Sequence, residues 1–267
     1  MQSSLFWQLS ARLHSASKVA AWHLFFSALA FAFAAVLVFC VWYPLPYNKL
    51  LGGNQLFLML AAVDLVCGPL LTLLVFNPGK RRRELCLDLG LIALIQLGAL
   101  GYGLYSVAQA RPVYLVFQVN DFRAVVAAEV DQADLIAAPS DLNELPWFGP
   151  KLIGTRSPID SADRTNATER ALQGQEISMR PTWWQDYELN RSQALLAAKP
   201  MSELVRMHPS KRLFINTAFA DVKASSVEVV WLPLVSRRAS DWVVLIDAGS
   251  AKVLGYSHID GYESELP

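Results

Sequence analysis

The chain has few charged residues and few cysteines for its length. Only 17% of its 267 residues are Asp, Glu, Lys or Arg, against roughly 25% in typical soluble domains. The 23 basic and 23 acidic residues balance. The chain therefore lacks the excess of positive charge that is typical of nucleic-acid-binding proteins. Three cysteines are too few for a disulfide framework. With 54% hydrophobic residues, the composition also excludes an intrinsically disordered chain.

Motifs of enzymes and metal sites are missing as well. The sequence contains no G-x-S-x-G, no H-E-x-x-H, no phosphate-binding G-x-x-x-x-G-K and no C-x-x-C. His208 and His258, the two histidines of the C-terminal part, are separated by 50 positions and have no obvious third partner. We therefore predict no catalytic residue, no metal site and no cofactor.

Long apolar runs are abundant, and all of them lie in the first 109 residues. They cover 21–43, 55–76 and 85–107, and the only acidic residues within them are Asp64 and Asp88. A helix rises by about 1.5 Å per residue, so each run is long enough to cross a hydrocarbon layer of about 30 Å. Three such runs favour a membrane protein over a large soluble protein with buried helices, and we predict three transmembrane helices.

Basic residues predict the orientation of these helices. Arg12 and Lys18 precede the first run, the basic cluster 80–83 separates the second from the third, and the remaining connection has only Lys49. The positive-inside rule then places the N-terminus in the cytoplasm. The predicted organisation is a cytoplasmic tail at 1–20, a transmembrane domain at 21–109 and an extracytoplasmic domain at 110–267, in the periplasm if the cell is Gram-negative.

Polar and small residues within the predicted spans are candidates for specific contacts. Asp64 lies well inside the second predicted span. A charge at that depth raises the free energy of membrane insertion by at least ~2.5–3.5 kcal/mol, so this residue is expected to face another helix or a cavity. Gln96 lies at nearly the same depth of the antiparallel third span, and we predict an Asp64–Gln96 hydrogen bond, which would also suit a protonated Asp64. An internal clasp, a contact to a partner's helix and a proton path are the three interpretations of Asp64.

The residues that follow Asp64 strengthen the case for helix packing. Asp64, Gly68 and Thr72 recur every four positions and form one stripe, and Pro69 is expected to kink the helix. Small residues at similar spacing allow close approach, either within the chain or to a foreign helix. Two pairs of small residues have this four-residue spacing, Ala28 with Ala32 and Ala99 with Gly103.

Residues 110–267 have the pattern of an α+β domain. Strands are predicted at 112–119, 122–128, 227–235, 242–247 and 252–257, and helices at 161–173, 186–198 and 201–220. The segment 138–160 contains four prolines and is expected to be irregular. Trp42, Tyr43 and Tyr47, which follow the first span, are interpreted as an aromatic belt at the membrane interface. The predicted fold is three N-terminal transmembrane α-helices followed by one α+β extracytoplasmic domain.

Several motifs in this order resemble a known family. They are Trp42-Tyr43-Pro44, the run from Val63 to Thr72 that includes Asp64-Leu65-Val66-Cys67-Gly68-Pro69, Gln96, and Ala110-Arg111-Pro112-Val113-Tyr114. Together they resemble the type IV pilin accessory proteins of the TfpX/TfpZ type. The resemblance covers 42–128 best and returns weakly at 242–255. The matching positions that we single out are Asp64, Gly68, Pro69, Gln96, Arg111 and Pro112.

The resemblance implies a multi-pass protein of the bacterial inner membrane that promotes surface display of a cognate major pilin without catalysis. Its expected partners are that type IV major pilin, the pilus assembly machinery and the lipid bilayer, but no nucleic acid. Two alternatives stay open. The chain could be a membrane-anchored sensor with a ligand-binding periplasmic domain, or a membrane enzyme that modifies pilin or glycans.

Overall fold

The computed structural model describes residues 2–222 and 227–263, with side chains from Arg12 onward. The chain divides into two compact units. The helical unit comprises the chain up to Val41 together with Gly53–Gln109. The sheet domain comprises Trp42–Gly52 and the chain from Ala110 onward. The short segment between the first two membrane helices therefore folds with the sheet domain, although the predicted transmembrane domain at 21–109 includes it.

Three long helices form the helical unit in the described part of the chain. They are α1 at Gln2–Val36, which continues as a π-helical turn at Leu37–Trp42, α3 at Gly53–Val75 and α4 at Arg82–Gln109; the short α2, Tyr47–Leu50, lies between α1 and α3. The apolar stretches long enough to cross a membrane are Arg12–Trp42, Gly53–Val75 and Arg82–Gln109, with 31, 23 and 28 residues. The three predicted transmembrane helices are confirmed.

Helix α3 is the central helix of this unit and packs against both α1 and α4. Its buried residues are Gly53, Asp64, Gly68 and Thr72, while leucines such as Leu58 and Leu74 are exposed. This reverses the usual pattern of a soluble helix, because lipid tails solvate leucine and small residues let helix backbones approach. Arg12 of α1 holds the C-terminal end of α3 by donating to the main-chain oxygens of Leu74 at 3.0 Å and Phe76 at 3.3 Å.

The sheet domain is built on one eight-stranded sheet within the described residues. Its strands are β1 Pro112–Gln118, β2 Asp121–Val126, β3 Lys151–Thr155, β4 Trp184–Gln185, β5 Lys199–Pro200, β6 Val229–Ser236, β7 Trp242–Asp247 and β8 Val253–Ser257. The strand order is β4-β3-β1-β2-β6-β7-β8, with β5 paired to β6. The β1–β3 and β2–β6 pairs are parallel and the remaining pairs are antiparallel. The helices of the domain are α5 Ser161–Leu172, α6 Arg191–Ala197, α7 Met201–Met207 and α8 Arg212–Val222.

The predicted fold class is confirmed, and one segment differs from its prediction. The hairpin β1–β2, the helical regions and the C-terminal strands form close to their predicted positions, and the break near Pro209 separates α7 from α8. The expectation that 138–160 is irregular throughout is wrong, because β3 lies within it. Only five residues long, β3 is set by its parallel pairing with β1, in which Leu152 pairs with Leu115. Such a distant partner leaves no local pattern in the sequence.

The core of the sheet domain has two parts. One packs on β1 and β3 and consists of Val113, Tyr114, Val116, Val125, Ala127, Val130, Leu142, Ile153 and Trp184. The other packs helices α7 and α8 on β6 and β7 and consists of Leu204, Ile215, Phe219, Trp231, Val243, Leu245 and Ile259. Apolar residues from the strands and from the helices therefore form a core that contains no cysteine.

The segment Trp42–Gly52 is anchored in the sheet domain by its aromatic residues. Tyr43 is 1% exposed and Tyr47 is 4% exposed. The Tyr47 hydroxyl lies 2.8 Å from the Tyr256 hydroxyl, and Ser236 Oγ donates to the Leu50 main-chain oxygen at 3.3 Å. Interpreting these aromatics as an interfacial belt is therefore wrong, because their rings are buried in protein. Burial raises the pKa of both Tyr47 and Tyr256, so one neutral phenol donates to the other.

Replacing Tyr47 by Phe should destabilise the sheet domain by about 1–3 kcal/mol, because the buried Tyr256 hydroxyl loses its partner. Chemical unfolding of the full chain in detergent, followed by near-ultraviolet circular dichroism, measures this change. The double variant Tyr47→Phe/Tyr256→Phe should lose less than the sum of the two single variants. Tyr102→Phe, at a ring that is 74% exposed, is the control. Strictly additive losses would show that the two hydroxyls are not coupled.

Candidate functional site

A cavity of about 400 Å³ opens among the three membrane helices. We call it the intramembrane groove. It is lined by Val19, Trp22, His23, Phe26, Ser27, Ala30, Phe31, Asp64, Thr72, Leu89, Ala93, Gln96, Leu97 and Leu100. Most of these side chains are apolar, and the polar ones come from all three helices. The groove therefore combines a lipid-like wall with a few hydrogen-bonding groups.

Asp64 is the acidic residue of the groove and its carboxylate is not satisfied. The residue is only 5% exposed, and within the described part of the chain its Oδ2 atom has no hydrogen-bond partner. The predicted Asp64–Gln96 hydrogen bond is present, but the carboxyl group of Asp64 does not take part in it. Gln96 Nε2 donates instead to the main-chain oxygen of Asp64 at 3.1 Å.

Gly68 explains why the Gln96 amide reaches the backbone of α3. A Cβ atom on Gly68 would lie only 1.9 Å from Gln96 Nε2, so the amide occupies the space that a side chain would fill. The Oε1 atom of Gln96 is buried and has no partner among the described residues. Two acceptor oxygens, from Asp64 and Gln96, are thus unsatisfied on residues that line the same groove.

His23 and Thr72 form a second polar contact, which sequence reasoning did not identify. His23 Nδ1 lies 2.5 Å from Thr72 Oγ1, and Thr72 is fully buried. The bond joins α1 to α3, as the Gln96 bond joins α4 to α3. His23 is the only histidine of the first apolar run, and Ser27 follows one helical turn later. Two polar residues one turn apart in an otherwise apolar run were the sequence signal for a polar contact of α1.

The remaining helix residues singled out from the sequence lie in different surroundings. Gly103 approaches α3 so closely that a Cβ atom would lie 2.2 Å from Leu60 Cδ1. In contrast, Ala28, Ala32 and Ala99 are exposed, so these alanines are not packed against the other helices of the chain. Helix α3 continues through Pro69, which is half-buried.

Arg111 and Pro112 belong to the sheet domain. The Arg111 guanidinium lies 4.4 Å from the centre of the Trp147 ring, and its Nε donates to the Pro146 main-chain oxygen at 3.4 Å. The main-chain oxygen of Arg111 accepts from the Ala127 N–H at 3.0 Å, and Pro112 pairs with Val126. The two residues thus join the start of β1 to the end of β2 and to the loop before β3. The arrangement fixes the domain's first strand.

The groove offers hydrogen-bonding groups in a largely apolar lining. In residues 2–222 and 227–263 no three His, Cys, Asp or Glu side chains lie close enough to hold a metal ion. The carboxylate of Asp64 accepts hydrogen bonds when ionised and can also donate one when protonated. In a bilayer each unsatisfied polar group is expensive, so a helix that brings a complementary group to this depth gains binding energy from it.

Comparison with known proteins identifies the family. The family model described as "Fimbrial assembly protein FimB" matches residues 11–52. The chain is 33% identical over 249 residues to "Fimbrial assembly protein, serogroup E1" of Dichelobacter nodosus, covering 93% of this chain and 96% of the relative. The chain belongs to the fimbrial assembly protein family. The serogroup I protein of the same organism is also 33% identical over 249 residues, with the same coverage of both chains.

A further fimbrial assembly protein of Dichelobacter nodosus, of serogroups C1 and C2, is 41% identical over 115 residues, which are 43% of this chain and 88% of that relative. No solved structure gave a significant match. The relatives support a role of this fimbrial assembly protein in fimbrial biogenesis. The family model covers α1 from residue 11 onward and the segment that folds with the sheet domain, and ends at Gly52.

Replacing Gly68 by Ala should break the bond between Gln96 and Asp64, because the new methyl group displaces the amide. We expect a loss of about 0.5–2 kcal/mol, the range of interhelical hydrogen bonds in membranes. The loss should shrink when Gln96→Ala is already present, since no amide is then displaced. Thermal unfolding in detergent, followed by helical circular dichroism, measures all three variants. Gly98→Ala is the control, because an added Cβ would meet no described atom within 4 Å there. Equal losses with and without Gln96 would contradict the packing account.

Proposed function

We propose that this fimbrial assembly protein is a non-enzymatic accessory factor of type IV pilus biogenesis, of the TfpX/TfpZ kind, and that its helical unit binds the membrane helix of a cognate major pilin. The carboxylate oxygen of Asp64 that has no hydrogen-bond partner among the described residues, in the intramembrane groove, carries this proposal. A pilin subunit that awaits assembly is held in the membrane by an apolar helical stem. The largely apolar lining of the groove suits a helix of this kind.

The lining of the groove supports a helical occupant. Its walls are largely apolar, with Phe26, Leu97 and Leu100 among the lining residues, and Ala30 and Ala93 leave room beside them. Association of helices in lipid depends on close packing and on interhelical hydrogen bonds. A stem that brings one hydrogen-bond donor to the depth of Asp64 satisfies both conditions.

The basic residues support the proposed topology. Arg12 and Lys18 lie before the apolar core of α1, and Lys80 to Arg83 lie between α3 and α4. The positive-inside rule places these residues in the cytoplasm of the inner membrane and the sheet domain in the periplasm. A pilin with its stem in the groove would then present its periplasmic head on the same side as the sheet domain, as a pilin-specific chaperone or assembly factor requires.

Photocrosslinking from α4 tests stem binding directly. A benzophenone amino acid at Leu97, which lines the groove and is 66% exposed, should give an adduct with the major pilin in intact cells. Ile95 is the matched control, because it is 60% exposed, does not line the groove and lies about 200° around the helix from Leu97. We expect several-fold more pilin adduct from position 97 than from position 95.

Equal adduct yields at the two positions, or no pilin adduct at position 97 in a stably inserted variant, would reject the groove as the pilin site. Adding Asp64→Leu to the crosslinking variant at position 97 should lower the yield several-fold, because the stem then loses its polar contact. An unchanged yield would assign binding to packing alone.

A further inference from the structure

A small group of large apolar side chains is exposed on the sheet domain. Leu45, Trp147 and Phe148 are 77%, 60% and 82% exposed. They come from two segments that meet in space, since a Cβ atom on Gly149 would lie 3.7 Å from Pro44 Cγ. We call Leu45, Trp147 and Phe148 the aromatic tip. Exposed aromatic rings next to each other are unusual on a soluble surface and indicate contact with something apolar.

The tip is held firmly by the rest of the domain. Leu142 is buried in the core, and the Tyr114 hydroxyl donates to the Glu144 main-chain oxygen at 3.2 Å. Arg111 binds the Pro146 oxygen and stacks on Trp147. Gly149 has a φ of +60°, a left-handed conformation that favours glycine and turns the chain back towards β3. These contacts support the loop on both sides of Trp147 and Phe148.

The position of the tip in the chain places it beside the membrane. Leu45 is the third residue after Trp42, where the first membrane helix ends, and Arg111 is the second after Gln109, where α4 ends. Both helix ends lie on the same side of the membrane, because α3 crosses back between them. The Trp147 ring is 4.4 Å from the guanidinium of Arg111, so it lies within one side chain of the point where the chain leaves the bilayer.

We infer that the aromatic tip inserts into the interfacial layer of the lipid bilayer and fixes the base of the sheet domain against the membrane. Trp at this depth combines an apolar ring with a polar N–H, which is why tryptophan is enriched at membrane interfaces. The belt predicted at Trp42, Tyr43 and Tyr47 is buried in protein, and the tip supplies the interfacial aromatics from another segment. Insertion of the aromatic tip requires only that the three helices span the membrane, and it does not require a bound pilin.

Spin-label accessibility in the full chain tests this insertion. Cys40, Cys67 and Cys86 are replaced by Ala, a single nitroxide is attached at Phe148→Cys, and the protein is reconstituted into vesicles of phosphatidylethanolamine and phosphatidylglycerol. The collision rate with oxygen, which concentrates in lipid, is compared with that of a water-soluble nickel chelate. We expect a several-fold higher ratio of oxygen to nickel collisions at position 148 than at the control position.

Leu196→Cys is the control, since Leu196 is 88% exposed and belongs to α6. In the same helix Gln193 Nε2 donates to the Val119 main-chain oxygen at 3.1 Å, just beyond the far end of β1. A strand of this length extends about 20 Å from Pro112, so the control lies away from the membrane exit. Equal ratios at the two positions would overturn the inference.

A label at position 148 that collides with neither reagent would also overturn it, because that result indicates burial against another copy of the protein. Leu45→Cys provides a second reading if the Phe148 variant does not fold. It should give the same high ratio of oxygen to nickel collisions, and a ratio equal to that at position 196 would again contradict insertion.

Discussion

Hydrogen bonding inside the lipid bilayer is the constraint on which the helical unit depends. With no water at this depth, polar groups have to be satisfied by other parts of the protein. Helix α3 receives such a bond from each neighbour: His23 of α1 pairs with Thr72, and Gln96 of α4 donates to the main chain of Asp64. Gly68 makes the second bond geometrically possible. The stripe of small and polar residues on α3 is therefore the structural centre of the bundle.

Asp64 Oδ2 and Gln96 Oε1 are exceptions to this constraint among the described residues, and the Asp64 carboxylate connects the structure to the proposed function. An oxygen that is buried and unpaired among apolar helices lowers the stability of the isolated chain. In the proposed complex, a partner helix that supplies a donor would remove that penalty, so the same residue would stabilise the complex more than the free protein. The exposed Ala28, Ala32 and Ala99 leave further small surfaces for helix contact outside the groove. Membership of the fimbrial assembly protein family supports a role in fimbrial biogenesis.

The sequence predicts the features that depend on local pattern, and misses those that depend on distant contacts. Three apolar runs, the β1–β2 hairpin and the break at Pro209 follow from composition, alternation and proline chemistry. Strand β3 forms because β1 offers a parallel edge, and Tyr47 is buried because Tyr256 lies opposite it. The depth of Gln96 was predicted to match that of Asp64, but the acceptor is the backbone because Gly68 leaves space there. Tertiary packing decides each of these three features, and the residues nearby in the sequence do not reveal that packing.

We propose that Asp64 helps the protein to bring a pilin into the pilus. Surface pili sheared from cells, measured against total membrane pilin, test it most directly when cells carrying Asp64→Leu are compared with cells carrying the unaltered protein at the same level. The account predicts fewer surface pili with membrane pilin unchanged, because leucine fills the site without offering an acceptor. Normal surface pili in cells that contain a stably inserted Asp64→Leu protein would contradict it.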